Sequence, residues 1–174
     1  MRTQTCLPAL MFLLLSGCAA TQPVAKPEVG HQVGNGAGHT EVCKAVTEQE
    51  IAALFDRWNN SLKTGDPHKV VANYAEQSVL LPTVSNTPRL TPAEKEDYFH
   101  HFLENLPSGV INSRTIMINC NTAVDTGLYT FTMAKTGAVV PARYTYTYHW
   151  DGKQWLITSH HSSAMPEKTD TEKK

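Results

Sequence analysis

The hydrophobic period changes once along this chain, and that change decides what it can fold into. Up to about residue 106 the apolar side chains recur at helical spacing, and from Ile111 onward they alternate. Helices interrupted by one short strand, followed by four strands with no helix between them, build an α+β domain. The helices then gather on one face of a mainly antiparallel sheet.

The individual elements follow from local signals. Thr47 and Glu50 form a capping box, and Ile51, Leu54, Phe55, Trp58 and Leu62 make one apolar stripe behind it. Gly65 stops that helix, and Asp66-Pro67 starts a second one with Val70, Val71 and Tyr74 as its buried side. Residues 79–82 read as a short strand and 83–90 as a loop or ragged hairpin. Thr91 and Glu94 repeat the capping box and open a third helix carrying Tyr98, Phe99, Phe102, Leu103 and Leu106, ended by Pro107 and Gly109. Residues 111–121, 127–134, 139–150 and 154–163 read as strands, with turns at Thr136-Gly137 and Asp151-Gly152. Three helices packed on a curved sheet leave a cavity at its open end.

The ends of the chain are of a different kind. Arg2 and the apolar run Leu7 to Leu15 form a signal peptide over residues 1–17, too short to span a bilayer. Leu15-Ser16-Gly17-Cys18 resembles the lipobox of bacterial lipoproteins. That resemblance implies acylation of Cys18 and a place on the periplasmic side of a bacterial membrane; Ala19 favours the outer one. The other reading is an ordinary cleaved signal with a chance cysteine. Residues 18–42, with Gly30, Gly34, Gly36 and Gly38, read as a flexible tether, and 167–174 as a charged tail. The folded domain is then 43–166. Of the four cysteines, Cys43 and Cys120 remain for the domain, and in an oxidising compartment the pair predicts a disulfide, with two buried thiols as the alternative. A net charge of −1 without a basic cluster gives no footprint for nucleic acid.

Three segments carry a resemblance to a known family. They are Phe102-Leu103-Glu104-Asn105-Leu106, Asp151-Gly152-Lys153-Gln154-Trp155-Leu156, and His160-His161-Ser162-Ser163-Ala164-Met165-Pro166. Their order resembles the cone-shaped nuclear transport factor 2-like (SnoaL-like) fold. Within it, the chain is similar to bacterial homologues of the calcium/calmodulin-dependent protein kinase II association domain. The resemblance implies a pocket domain or assembly domain without kinase activity, and a homodimer through the convex sheet face. It also marks a departure: the association domain carries an arginine after its final-strand histidine, where this chain has Ser162.

Arg143 and His161 are the expected anchors of a ligand pocket, holding a small molecule such as a carboxylate through a planar guanidinium fork and an imidazole. Trp58, Tyr74, Tyr98, Tyr129 and Phe131 are its expected walls. Arg114 and Arg89 are lesser candidates, and each arginine has an ordinary surface or ion-paired alternative. His160 and His161 occupy opposite faces of one strand. An isomerase, dehydratase or cyclase with His161 as base is the alternative function. It lacks a clearly inward acid, because Asp125 falls near the expected turn. No GxSxG, P-loop, GxGxxG, CxxC or HExxH is present, so no cofactor and no metal are predicted.

Overall fold

A computed structural model describes residues 42–167. The signal peptide, Cys18, the tether before Val42 and residues 168–174 lie outside the described residues. The order is α1 (Glu48–Leu62), α2 (Pro67–Val71), β1 (Tyr74–Leu81), α3 (Pro92–Leu103), β2 (Pro107–Asn119), β3 (Thr122–Met133), β4 (Ala138–Trp150) and β5 (Trp155–Ala164). The five strands form one curled, unclosed sheet in the order β1-β5-β4-β3-β2. Strands β2 to β5 are an antiparallel meander, and β1 runs parallel to β5.

Both capping boxes form: Thr47 and Thr91 each accept from the backbone of the Glu three residues on, and that Glu bonds back. Asp66 caps α2, with Pro67 in its first turn, where a missing N–H leaves no bond unmade. α1 turns Ile51, Phe55, Trp58 and Leu62 into the cone, against Phe99 and Leu103 of α3 and the aromatic concave face of the sheet. Trp58 is 1% exposed and touches Phe55, Phe99, Phe131, Tyr146 and the ring of His160.

Several boundaries differ from the sequence reading, each for a local reason. β1 begins at Tyr74, so that side chain belongs to a strand; an irregularity between Tyr74 and Val79 in the pairing with β5 breaks up its apolar pattern. Pro107 starts β2 instead of only ending α3, because β2 is an edge strand where a residue without N–H is tolerated. Leu106 is exposed, at φ +52°, and leaves the core. The β2–β3 turn is tighter than expected. Asn121 takes φ +54°, a left-handed conformation that asparagine tolerates, and its side chain accepts from Lys44 N at 2.8 Å and donates to Val42 O at 3.1 Å. Next to it Cys43 and Cys120 sit at disulfide distance, Cα atoms 4.6 Å apart and 77 residues apart in the chain. A loop of that length contributes up to roughly 4 kcal/mol in the chain-entropy account.

The tight turn brings Asp125 into the interior of β3 instead of a loop. Gly127, two residues on, is a packing requirement: a Cβ there would lie 2.0 Å from Ser113 O, where β2 bulges toward it.

Candidate functional site

The curled sheet, α3 and the segment after β1 enclose a cavity of about 200 Å³. Its wall is mostly apolar: Trp58, Phe99, Phe102 and Phe131 from three elements, with Leu80, Val140 and Ala142. Polar groups gather on one side, where His160 and Ser162 of β5 meet Thr83 and Tyr129. Among the described residues, no aspartate, glutamate, lysine or arginine lines it.

Two hydrogen-bond relays organise that polar side. In the first, the Trp58 indole N–H donates to Tyr74 OH at 3.2 Å, and Tyr74 OH lies 2.8 Å from His160 Nδ1. Since the phenol oxygen already accepts from the indole, its own hydrogen goes to Nδ1, which places the imidazole proton on Nε2. That nitrogen is buried without a partner among the described residues. Its ring is stacked on Tyr146 at 4.1 Å. Burial, with a smaller push from His161, drops the His160 pKa from 6.5 to about 3, so the ring is neutral. In the second relay Tyr129 OH donates to Ser162 Oγ at 2.5 Å, and Ser162 Oγ is hydrogen-bonded to Thr83 Oγ1. Either hydroxyl can donate in the Ser162–Thr83 bond, and both residues line the cavity. Burial raises the phenols of Tyr74 and Tyr129, and lifts Tyr98 to about 12, so all three remain protonated donors.

Trp58, Tyr98, Tyr129 and Phe131 are on the cavity wall, and Tyr74 stands behind it as the link to His160. Arg143 and His161 are not there. Strand alternation turns Ala142, Tyr144, Tyr146 and Tyr148 inward on β4 and His160 and Ser162 inward on β5, so Arg143 and His161 are exposed on the convex face. The signal was in the chain: every even position from 144 to 148 is an aromatic, which assigns the odd Arg143 to the other face. Arg114 is engaged with Asp125, its Nη2 and Nε at 2.9 and 3.3 Å from the carboxylate, and Tyr144 OH donates to the same group at 2.8 Å. Asp125 is therefore an inward acid, 0% exposed, contrary to the sequence reading. It is not on the cavity wall. Arg89 lies over the Tyr98 ring, 6.0 Å from its centroid. Among the described residues no three His, Cys, Asp or Glu side chains are grouped as a metal-binding set.

A cone of helices on a curled sheet, closed over an interior cavity, defines a nuclear transport factor 2-like protein. A protein of that class from Pseudomonas putida superimposes with TM-score 0.62 at 19% identity, covering 75% of this chain and 94% of that one. The description "calcium/calmodulin dependent protein kinase II association domain" matches residues 47–166. A solved protein from Xanthomonas campestris assigned to that family is 49% identical, with TM-score 0.67, over 74% of this chain and 98% of that one. The chain belongs to the calcium/calmodulin-dependent protein kinase II association-domain family. An iota-carbonic anhydrase from a cyanobacterium, solved with bicarbonate, has the same fold at 22% identity and TM-score 0.64, covering 73% of this chain and 97% of that one. No curated protein shows significant similarity to the chain.

Proposed function

We propose that the cavity takes CO2 and bicarbonate and interconverts them. The observation that carries this reading is the convergence of the two relays on one cavity: His160, Ser162, Thr83 and Tyr129, linked by these hydrogen bonds, line the polar side of a small, mostly apolar cavity. At about 200 Å³ it is smaller than the cavities that hold drug-sized ligands, roughly 300–1,000 Å³. CO2 suits the aromatic wall, and bicarbonate presents oxygens to fixed donors.

In the hydration direction a water oxygen attacks the carbon. One C=O π pair moves onto the oxygen facing the donors, and the proton lost by the water goes to solvent. The donors stabilise the charge that develops on oxygen without reorganising. His160, with a pKa of about 3, acts as a donor and not as the base. The cyanobacterial protein with bicarbonate supports the choice of ligand, because its fold is the same. A dehydratase or isomerase mechanism needs an acid beside His160, and Asp125 is instead held by Arg114 and Tyr144.

Stopped-flow CO2 hydration with a pH indicator tests the reading. Wild type accelerates the reaction, Ser162→Ala and Thr83→Val lose roughly a hundredfold of that acceleration, and Arg143→Gln retains it. A wild-type rate equal to buffer alone overturns the proposal.

The place of action is a separate part of the proposal. The Leu15–Cys18 motif supports a lipid anchor on the periplasmic side of the outer membrane, so a palmitate analogue labels the wild type and not Cys18→Ala. Self-association through the convex sheet face is supported by its exposed Val110, Met117 and Leu128; sedimentation showing only monomer at tens of micromolar, roughly, refutes it.

A further inference from the structure

We infer that the outer face of the sheet carries a second, oxyanion-binding site centred on Arg143. The strand register sets out its parts as a grid of two rows. Leu128, Arg143 and Ser163 lie side by side across β3, β4 and β5, and Thr126, Thr145 and His161 form the adjoining row. Three short hydroxyl side chains lie between longer ones, so the grid is a depression. Its volume is about 380 Å³, and these six residues line it with the strand at Gly127 and Tyr144.

Arg143 is already oriented. Its Nε donates to Ser163 Oγ at 3.1 Å, which fixes the plane of the guanidinium and leaves both terminal nitrogens without a partner among the described residues. Thr126 Oγ1 and Thr145 Oγ1 are 2.9 Å apart, and Thr126 also donates to Tyr144 O. Thr145 therefore donates to Thr126, and the hydroxyl hydrogen left beside the guanidinium is that of Ser163, which accepts from Arg143; His161 offers a ring nitrogen from the opposite corner.

The surroundings supply no counter-ion. The outward positions of β2 to β5 hold threonines, serines, asparagines and aliphatic residues, with Arg143, His149 and His161 but no aspartate or glutamate. A planar fork beside the Ser163 hydroxyl and the His161 ring, on strands without carboxylates on this face, recognises a phosphate-type oxyanion. Its source is either free phosphate or the headgroup of an anionic phospholipid. Where two copies pair through this face, a bound anion also offsets the repulsion between their Arg143 side chains.

The experiment is a titration of the mature chain, as its Cys18→Ser variant, with inorganic phosphate at constant ionic strength, followed by the Arg143 Nε–H signal and the amides of residues 126–128, 143–145 and 161–163. The shifts are expected to saturate, and Arg143→Gln to weaken binding roughly tenfold. Ser162→Ala, which disables the interior cavity, leaves this titration unchanged, so failure of the carbonic reading and failure of this one are distinguishable. Cosedimentation with phosphatidylglycerol vesicles against phosphatidylcholine vesicles identifies the source. Arg143-dependent retention on the anionic vesicles assigns the headgroup, and phosphate binding without retention assigns the free ion. Shifts that fail to saturate, or that persist equally in Arg143→Gln, overturn the site.

Discussion

His160 and His161 are neighbours on β5, yet the sheet puts them in opposite circumstances. His160 is 3% exposed, stacked on Tyr146, held through Tyr74 by Trp58, and neutral at any ordinary pH. His161 is exposed in an open depression among hydroxyls. On the concave side each polar group is held by another side chain inside an aromatic shell. On the convex side short polar residues stand over the same backbone with little packed against them. The first face has the fixed geometry, and the second carries the open polar and charged side chains.

The largest test of that contrast is Trp58→Ala, which empties the centre of the aromatic shell and its first relay. A loss of about 3–5 kcal/mol in urea unfolding is expected. A loss below about 1 kcal/mol would mean that the concave face is no more constrained than the convex one.

The next test is pH. The unfolded chain binds a proton on His160 near pH 6.5, and the folded one refuses it down to about 3. Stability is therefore complete above about 6.5 and falls as pH drops, by up to about 1.4 kcal/mol per unit from this group. His160→Gln is expected to flatten that part of the profile, measured by urea midpoints between neutral and mildly acidic pH. Retention of the full slope in that variant would show that another group is responsible.

The smallest expected effect is on the outer face. Thr145→Ala changes stability by less than about 0.5 kcal/mol and retains the pH slope. A larger loss would show that the Thr126–Thr145 hydroxyl pair is structural, which would narrow the difference between the two faces.

What was legible in the chain was local. The capping residues Thr47 and Thr91, the cap at Asp66 and the turns at Gly137 and Gly152 are all decided within a few residues, and they stand where the pattern puts them. Features that depend on a distant partner were harder to read. The first half of β1 was hidden because its pairing with β5, some 80 residues away in the chain, is interrupted. Asp125 looked like a turn residue because its burial depends on Arg114 from the neighbouring strand and Tyr144 from the next. The aromatic walls were identifiable from composition and strand pattern, whereas the choice between His160 and His161 needed the strand's facing. That facing was available from the parity of the tyrosines on β4, one strand away.

The clamp at Cys43 and Cys120 has a mechanical consequence. The chain enters the domain at the corner where β2 turns into β3, fastened there by Asn121 and the sulfur pair. The cavity lies toward the other end of the same strands, where Phe131 is nine residues up β3 from Thr122, roughly 30 Å at the usual rise. A pull on the N-terminal segment is thus delivered to a covalently reinforced corner and passes along the turn, with the two relays standing outside the load path. The domain can take tension where the chain enters it without the geometry of its interior relays feeling the strain.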